Sequence, residues 1–302
     1  MVGTIRLGDF EIARIVEMEL PFLNLDEMFP VSKPDEVAAM LPRLQPWCVD
    51  AQRRALVAVQ AYVVRTPDDV IVLDTCVGCE KTNDRFPFWA GRTDRTWLKR
   101  LRSAGVSPLD VTLVLCSHLH TDHAGWNTVR EDGRWVPTFP NATYIFSKRE
   151  VQHCMDAEPD LYRESVLPVI ESGHARLVDI GHHGPEEASG IVAGDAQIAE
   201  GVWLEPTPGH TPGHVAVHLE SRGRRAVMWG DLCHSPAQCL RPDWSYRRDW
   251  DGVVSAVTRT RLLRECADHQ LLVLSSHFPP PSVGFIDDAG QGFWFRYKRE
   301  DD

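Results

Sequence analysis

Short apolar runs rich in valine, leucine and isoleucine recur along the chain, separated by glycine, proline and polar residues. Runs of about four to eight such residues between turn signals predict buried β-strands. The first stretch, residues 3–19, predicts one or two short strands with a turn at Gly8 and Asp9. The later predicted strands are 55–65, 70–74, 111–116, 142–146, 176–180, 202–206, 214–219, 226–229 and 271–274.

Helical spacing of apolar residues occurs between these strands. It predicts a helix over residues 96–104 that stops at Gly105, the start of a second helix over 148–155, and a longer amphipathic helix over 250–267. Residues 21–46 are rich in proline and predict a loop with one short helix.

The order of these elements bears on the number of domains. No repeat of fixed period and no linker interrupts the chain, so we expect one domain over residues 1–302. Its predicted fold class is an α/β sandwich, in which two packed sheets carry helices on their outer faces. Residues 21–50 and 80–95 are interpreted as loop insertions near the functional site.

Composition and charge narrow the classes of partner. The chain has 302 residues, 43% of them hydrophobic, which is enough apolar material for a large core. The formal net charge of −11 argues against nucleic acid, because phosphate-binding surfaces need clustered lysine and arginine. The same charge repels strongly anionic molecules at long range. We therefore expect a neutral or apolar small molecule as the ligand.

Targeting signals and cysteine usage bear on location. No run approaches the roughly 18 apolar residues of a membrane span, so no membrane partner is expected. The first residues alternate and carry acids, unlike the basic start and apolar block of a signal peptide. The eight cysteines form no dense framework, which favours free thiols. Together these features predict a cytoplasmic protein.

Four potential metal ligands fall within six residues, directly after the predicted strand 111–116. His118 and His120 are two residues apart, so at an extended strand end they project from the same side. Asp122 and His123 follow after the chain turns, so their side chains can bind a second metal ion nearby. One segment can thus serve two metal ions roughly 3.5–4 Å apart, the separation found in two-metal hydrolases. Mixed imidazole and carboxylate ligands suit Zn²⁺ first, then Mn²⁺, Fe²⁺ or Co²⁺.

Further candidate ligands follow other predicted strands. His210 lies in the turn Thr-Pro-Gly-His-Thr-Pro-Gly-His after strand 202–206, and we prefer it to His214, which begins the next strand and can point back to support the site. Asp231 follows Gly230, and a carboxylate at this position can bridge two ions, which a histidine cannot do. His277 ends the last predicted strand.

The segment His118-Leu119-His120-Thr121-Asp122-His123, followed in order by His210, Asp231 and His277, resembles the metallo-β-lactamase superfamily. The resemblance covers nearly the whole chain and implies an αββα sandwich with two metal ions at one rim of the sheets. It implies that one ion is held by His118, His120 and His210, and the other by Asp122, His123 and His277, with Asp231 as the bridge. It also implies that Asp74 supports the ligands without binding metal.

Within that superfamily the chain is most similar to the branch of N-acyl-homoserine lactonases and methyl-parathion-hydrolase-like enzymes, on the runs 230–238 and 276–279. We therefore expect a binuclear hydrolase that attacks a lactone or carboxylic ester with a metal-bridging hydroxide. Asp122 is expected to move the proton to the leaving group. Lactonases of this type tend to have a tyrosine three residues after the bridging aspartate. Here His234 takes that position and is the second candidate catalytic residue.

Other functions are weighed against the same residues. Phosphotriester or thioester hydrolysis on the same fold is the first alternative, and a non-catalytic metal-binding protein is the alternative from another class. The latter predicts a missing bridging ligand, whereas all seven ligands are present. The net charge opposes a nuclease. A diiron oxidoreductase needs an attached flavodoxin domain for which the length leaves no room.

Aromatic residues and cysteines leave three interpretations open. Residues that line an apolar substrate site, or equally form the core of the loops, are Phe22, Phe29, Phe86, Phe88 and Trp89. The pair Cys76 and Cys79 has redox or zinc spacing, but no second pair accompanies it, so structural cysteines are expected. Residues 293–295 are interpreted as a core or interface strand, which leaves a homodimer possible.

Overall fold

The computed structural model describes residues 4–83, 86–180 and 196–299. The two ends of the expected 1–302 domain and positions 84–85 of the expected 80–95 insertion lie outside the described residues. Within this part of the chain two seven-stranded sheets and one separate hairpin are formed. The strands are β1 (Ile5–Leu7), β2 (Phe10–Asn24), β3 (Arg54–Arg65), β4 (Val70–Leu73), β5 (Leu113–Leu115), β6 (Thr128–Glu131), β7 (Arg134–Pro137), β8 (Thr143–Ser147), β9 (Ala175–Val178), β10 (Gln197–Ala199), β11 (Val202–Pro206), β12 (Val215–Ser221), β13 (Arg224–Met228), β14 (Leu272–Leu274), β15 (Val283–Asp288) and β16 (Phe293–Tyr297).

Helices connect these strands and cover the sheets. The α-helices are α1 (Leu25–Met28), α2 (Pro34–Leu44), α3 (Thr96–Ser103), α4 (Thr121–Ala124), α5 (Lys148–Ala157), α6 (Pro159–Leu161), α7 (Leu167–Glu171), α8 (Pro236–Leu240) and α9 (Gly252–His269). Short 3₁₀ turns occupy Pro87–Trp89, Gly125–Asn127 and Gly230–Leu232, and one π-helical turn occupies Tyr162–Val166. Asp251 precedes helix α9 and caps it, because its side chain accepts hydrogen bonds from the Val253 and Val254 amides.

The strand order places the ends of several parallel strands together. The first sheet has the order β1-β2-β3-β4-β5-β8-β9, and the second has the order β10-β11-β12-β13-β14-β15-β16. Strands β4, β5, β8 and β9 run parallel to one another, as do β13 and β14. The loops after β4, β5, β13 and β14 therefore leave the carboxyl ends of central strands, where ligands bind in open α/β sheets.

The main core lies between the two sheets. One apolar cluster joins Ile71 and Leu73 of the first sheet to Met228 and Leu274 of the second. The alternate residues, such as Val72, point to the opposite face and pack beneath outer helices. Central strands buried on both faces need continuous apolar runs, which explains why their sequences show no alternation. The expected α/β sandwich with outer helices is confirmed.

Two sequence-based expectations about the first insertion are wrong. Strand β2 is not short: it extends through residues 21–24, because β3 supplies a pairing partner as far as Asn24 and Arg54. The insertion forms two helices, α1 and α2, where one was expected. Their buried side chains, including Met28 and Leu44, form a small core with Trp244.

The carboxyl-terminal strand β16 belongs to the core. Phe293 and Phe295 are buried in an apolar cluster with Leu262 and Leu263 of α9. The alternative of core or interface strand is thus resolved in favour of the core for these two side chains, and a homodimer stays a prediction. None of the helices in the described part of the chain combines the length and the apolar character needed to cross a membrane.

Candidate active site

Seven ligand candidates from four separate segments of the chain meet at one rim of the sandwich. Residues 118–123 follow β5 of the first sheet, while Asp231 and His277 follow the parallel strands β13 and β14 of the second. His210 lies in the turn between β11 and β12. The structure sorts these residues into two groups in which the ligand atoms lie within 4.8 Å of one another: a first group of His118, His120, His210 and Asp231, and a second group of Asp122, His123 and His277.

The first group brings three imidazoles together. His120 Nδ1 lies 3.0 Å from His118 Nε2 and 3.0 Å from His210 Nε2. Asp231 Oδ2 lies 3.2 Å from His210 Nε2 and 3.7 Å from His118 Nε2. Three nitrogen atoms and one carboxylate oxygen therefore converge on one point.

The second group lies directly beside the first. His123 Nε2 and His277 Nε2 are 3.2 Å apart, and Asp122 Oδ2 lies 3.8 and 3.7 Å from them. The other oxygen of Asp231, Oδ1, is 3.1 Å from His123 Nε2 and 2.9 Å from His277 Nε2. Asp231 thus presents one carboxylate oxygen to each group.

These donor sets fit divalent cations. His120 Nδ1 lies 3.0 Å from two other ring nitrogens, but it carries either one proton or one lone pair, so a single hydrogen bond cannot satisfy all three nitrogens. Asp231 Oδ1 is buried and, in the described part of the chain, accepts no hydrogen bond of normal geometry. Three imidazoles with a carboxylate, beside two imidazoles with a carboxylate, are ligand sets that Zn²⁺ takes in proteins. The residues present therefore fit two divalent ions.

The pKa values of the groups in the site depend on burial and on charges of opposite sign. Burial lowers the pKa of His118 well below its usual value. Burial acts in the same direction on His123, but the carboxylates of Asp231, Asp122 and Asp74 outweigh it and raise the pKa of His123 well above its usual value. Burial opposes ionisation of Asp231, yet the surrounding imidazoles hold the pKa of that carboxyl well below its usual range. Asp231 therefore enters the site as a carboxylate.

Hydrogen bonds to the remote ring nitrogens orient the histidines. Asp74 Oδ2 lies 2.8 Å from His123 Nδ1, and Asp249 Oδ1 lies 2.9 Å from His210 Nδ1. The Ala58 carbonyl oxygen lies 2.8 Å from His277 Nδ1. Partners of this kind fix the tautomer and ring orientation of metal-ligating histidines. Asp74 belongs to neither group, in agreement with the supporting role implied by the resemblance.

His214, the rival of His210, lies outside both groups. Its Nδ1 is 2.8 Å from the Thr207 hydroxyl, and its Nε2 accepts a hydrogen bond from the Asp231 amide at 3.0 Å. Burial lowers the pKa of His214 to about 3, so the ring is neutral and able to accept that bond. A Cβ at Gly230 would lie 2.6 Å from the same nitrogen, which explains the glycine before Asp231.

Glu150 connects the two loops that carry the histidines of the first group. Its Oε1 accepts a hydrogen bond from the Leu119 amide at 3.0 Å. Its Oε2 accepts from the Thr211 hydroxyl at 2.8 Å and from the Gly213 amide at 3.0 Å. Burial raises the pKa of this carboxyl group, and the three donors counteract the shift. The sequence analysis missed Glu150, because one acidic residue in a helix carries no signal of such contacts.

Asp249 was missed for the same reason. It accepts a hydrogen bond from the Tyr246 amide at 2.9 Å and lies 3.5 Å from Arg259. Arg259 is fully buried in α9 and donates to the carbonyl oxygens of Leu232, Pro242 and Trp244. The sequence does show Arg259, a charged residue inside an amphipathic helix, but this alone does not indicate that Asp249 is its partner.

An open cavity of about 630 Å³, including the solvent space at its mouth, lies above both groups. The ligands exposed in it are His120, Asp122, His210, Asp231 and His277, and its other lining residues are Phe22, Met28, Val57, Val59, Phe86, Trp89, Thr121, Glu158, His234, Tyr246 and Arg248. This size is within the range of small-molecule sites.

The five aromatic candidates divide between cavity and core. Phe22, Phe86 and Trp89 line the cavity. Phe29 is fully buried and packs on Trp244 with ring centroids 5.8 Å apart, so it belongs to the core. Phe88 is 58% exposed and lies outside the cavity lining. Both expected insertions thus contribute to the wall above the ligands.

His234 lies beside the ligands without joining either group. Its Nε2 is 3.1 Å from Asp231 Oδ2, and its ring stacks on Tyr246 with centroids 3.8 Å apart. The Gln238 carbonyl oxygen Oε1 accepts from the His234 amide at 2.7 Å. Burial lowers the pKa of His234, which keeps the ring neutral at neutral pH. A neutral imidazole at the cavity wall can donate or accept one hydrogen bond.

Cys76 and Cys79 are buried in the apolar core on the outer face of the first sheet. Neither thiol joins a potential metal site in the part of the chain that the structure describes. The expected structural role of this pair agrees with that position.

Comparison with known proteins places this geometry in a family. The sequence pattern of the Metallo-beta-lactamase superfamily matches residues 54–264, which is most of the chain and includes six of the seven candidate ligands. The chain belongs to the metallo-beta-lactamase superfamily. This confirms the family that the motif of residues 118–123 resembles. It also accounts for two sheets that place ligands at one common rim.

Curated relatives in this superfamily are N-acyl homoserine lactonases. AiiA from Bacillus thuringiensis subsp. kurstaki is 28% identical over 128 residues, 42% of this chain. That match covers 40% of the relative, so the chain spans less than half the length of the first curated relatives. AttM from Rhizobium radiobacter is 24% identical over 249 residues, 76% of this chain and 85% of the relative.

Solved structures share the whole fold. AidC, a dizinc quorum-quenching lactonase in complex with a product, superposes with a TM-score of 0.80 at 23% identity, covering 99% of this chain and 97% of that chain. The hydrolase AbOPH of the beta lactamase superfamily has a TM-score of 0.80 at 21% identity, covering 100% and 98%. At this identity the likeness establishes a common fold.

Proposed function

We propose that the protein hydrolyses a lactone or carboxylic ester of a small apolar molecule with the help of two divalent metal ions, zinc in the first place. The observation that carries the proposal is the position of Asp231, which presents one oxygen to each ligand group at the floor of the cavity. One ion would be held by His118, His120 and His210, the other by Asp122, His123 and His277, and Asp231 would bind both. Two ions bound there supply Lewis acidity and an activated water.

The cavity supports an apolar acyl or alkyl group on the substrate. Phe22, Phe86 and Trp89 form an aromatic wall above the ligands. The net charge of −11 disfavours strongly anionic substrates. Curated relatives are named N-acyl homoserine lactonases, and a lactone with an acyl chain combines a small ester ring with an apolar tail. This substrate class is therefore part of the proposal.

Two side chains of the cavity would act on the reacting atoms. Asp122 is partly exposed and faces the cavity with a carboxylate able to take a proton and return it to the leaving alkoxide. His234 would donate a hydrogen bond to the substrate carbonyl oxygen from the wall beside Asp231. In this proposal the activated water is the nucleophile, so no side chain of the protein has to attack the substrate.

The proposal includes a reducing compartment. All eight cysteines are buried free thiols, which supports the cytoplasm as the location.

A substrate panel tests the function. Zinc-loaded protein is assayed on γ- and δ-lactones, aryl esters, a phosphotriester, a thioester and a β-lactam. We expect the highest kcat/KM on a lactone or carboxylic ester, loss of turnover on chelation, and recovery on addition of zinc. His269→Ala, at an exposed histidine at the end of α9, is the matched control and should keep full activity.

Two results contradict the proposal. A thioester or phosphotriester as the best substrate would replace the substrate class and retain the metal chemistry. Absence of turnover on every ester-type bond, with two ions bound per chain, would favour a non-catalytic metal-binding protein.

A further inference from the structure

Arg248 brings a positive charge to the wall of the cavity. Its guanidinium carbon lies 4.3 Å from the centroid of the Phe86 ring, and both residues line the cavity. Phe86 is itself held by Trp89 and Phe22, with ring centroids 4.6 and 6.0 Å away. A guanidinium held over an aromatic ring by cation–π attraction can still donate hydrogen bonds from its N–H groups.

The backbone around Arg248 is fixed relative to the ligands. The Arg247 amide donates to the Met28 carbonyl oxygen at 2.9 Å, and the Trp250 amide donates to the His210 carbonyl oxygen at 3.0 Å. Between them, Asp249 contacts the His210 ring. Arg248 thus projects from a short segment that is anchored on both sides, one of them at a proposed metal ligand.

Apart from its contact with the Phe86 ring, the Arg248 guanidinium has no hydrogen-bonding partner among the described residues. Over residues 4–83, 86–180 and 196–299, the Arg248 guanidinium donates no hydrogen bond and has no carboxylate oxygen within 4.0 Å. Arg259 shows the contrast, because its buried guanidinium donates to three backbone carbonyl oxygens. An arginine in a binding cavity with unused donors is suited to a group on the ligand.

We propose that Arg248 recognises a planar oxygen acceptor on the substrate, either an amide carbonyl or a carboxylate, away from the bond that is hydrolysed. The inference rests on the function proposed above and names a specificity-determining residue for it. The centroid of the Tyr246 ring, two residues earlier, lies 3.8 Å from the centroid of the His234 ring and 6.0 Å from that of the His210 ring. Arg248 lines the same cavity but contacts Phe86 and belongs to neither ligand group, so we assign it to the part of a substrate that extends beyond the reacting carbonyl.

The test uses three γ-lactones with side chains of equal length. One chain is plain alkyl, one is attached through an acyl amide, and one ends in a carboxylate. Arg248→Gln in the zinc-loaded enzyme should lower kcat/KM about 10–100-fold on a lactone with an acceptor, and less than about threefold on the alkyl lactone, since a hydrogen bond to a charged group is lost only in the former. The acceptor-bearing lactone that loses more identifies the acceptor.

Two further variants separate recognition from structure. Arg247→Gln makes the same charge change at an exposed neighbour that does not line the cavity, and it should leave all three values unchanged. Arg248→Lys keeps the charge but loses the planar arrangement of N–H donors. Compared with Arg248→Gln, it should therefore recover more kcat/KM on the carboxylate-bearing lactone than on the amide-bearing one. Equal losses on all three lactones would overturn the inference and make Arg248 a brace for Phe86. Unchanged values would overturn it as well.

A binding measurement makes the inference independent of turnover. Lactam analogues of the three lactones, with nitrogen in place of the ring oxygen, are titrated into metal-loaded wild type and Arg248→Gln protein by calorimetry. We expect about 10–100-fold weaker binding of an acceptor-bearing lactam by the variant, and similar binding of the alkyl lactam. Lactam selectivity without lactone hydrolysis would refute the proposed function alone. Loss of lactam selectivity alongside normal hydrolysis would refute the role of Arg248 alone.

Discussion

Replacing Glu150 by glutamine should loosen both loops that carry the histidines of the first group. The carboxylate accepts hydrogen bonds from the Leu119 amide, the Thr211 hydroxyl and the Gly213 amide. A glutamine amide offers one oxygen and one NH₂ group. The Thr211 hydroxyl can turn to accept from that NH₂ group, whereas the Gly213 amide cannot and is left without an acceptor.

The magnitude follows from that one unsatisfied donor. A buried N–H group without a partner costs about 1–3 kcal/mol, so Glu150→Gln should lower the free energy of unfolding of the metal-free protein by about this amount. Glu150→Ala leaves all three donors unsatisfied and costs about 3–9 kcal/mol on the same scale. That range reaches the whole stability of a typical domain, about 5–15 kcal/mol. The glutamine variant is therefore the informative one.

Two assays check this prediction. Urea denaturation of the metal-free protein measures the loss of stability. Competition with a chromogenic chelator measures zinc affinity, which we expect to fall about 10–100-fold for the first group, with a smaller change for the second, because outer contacts of ligands have effects of this size. Glu171→Gln, at an exposed glutamate, is the control and should change neither quantity. Unchanged zinc affinity in a destabilised Glu150→Gln protein would refute the link between Glu150 and the ligands.

Three further predictions concern the ligands and the cavity. Metal analysis of the wild type should find two ions per chain, and saturation at one ion would contradict two sites. His277→Ala should retain one ion, and Asp231→Ala should weaken both sites. Asp122→Asn should retain an ion in the first group and lose about 10²–10⁴-fold in kcat, as expected for a group that moves a proton, and a loss below about tenfold at saturating metal would count against that role. His234→Ala should keep both ions and lower kcat/KM on the best lactone or ester by about 10–10³-fold, at most the effect of removing one oxyanion donor; loss of an ion would instead make His234 a ligand.

The features that sequence reasoning found are local ones. The run Leu113–Leu115 predicts a buried strand by composition alone, and four candidate ligands follow it within eight residues. Asp231 and His277 could be found in the same way, since each follows its own apolar strand. Where a ligand depends on the strand directly before it, the sequence carries the signal.

The features that sequence reasoning missed arise from contacts between distant parts of the chain. Asp249 is 39 residues from His210, and Glu150 is 61 residues from Thr211. Nothing near either carboxylate indicates its partner, because the sheet topology brings them together. The length of β2 has the same cause, since its last residues are strand only through pairing with β3.

Each ligand group takes residues from both sheets, and this has a consequence for biosynthesis. His118 and His120 follow a strand of the first sheet, whereas His210 and Asp231 follow strands of the second, and the second group is completed by His277. Neither half of the chain contains a complete group, so under the proposed assignment a nascent chain could not bind both ions before His277 has left the ribosome. Bound ions would then stabilise the packing of the two halves of the chain against each other. Protein made under metal starvation should therefore lose the contacts between these halves before other parts of the fold open.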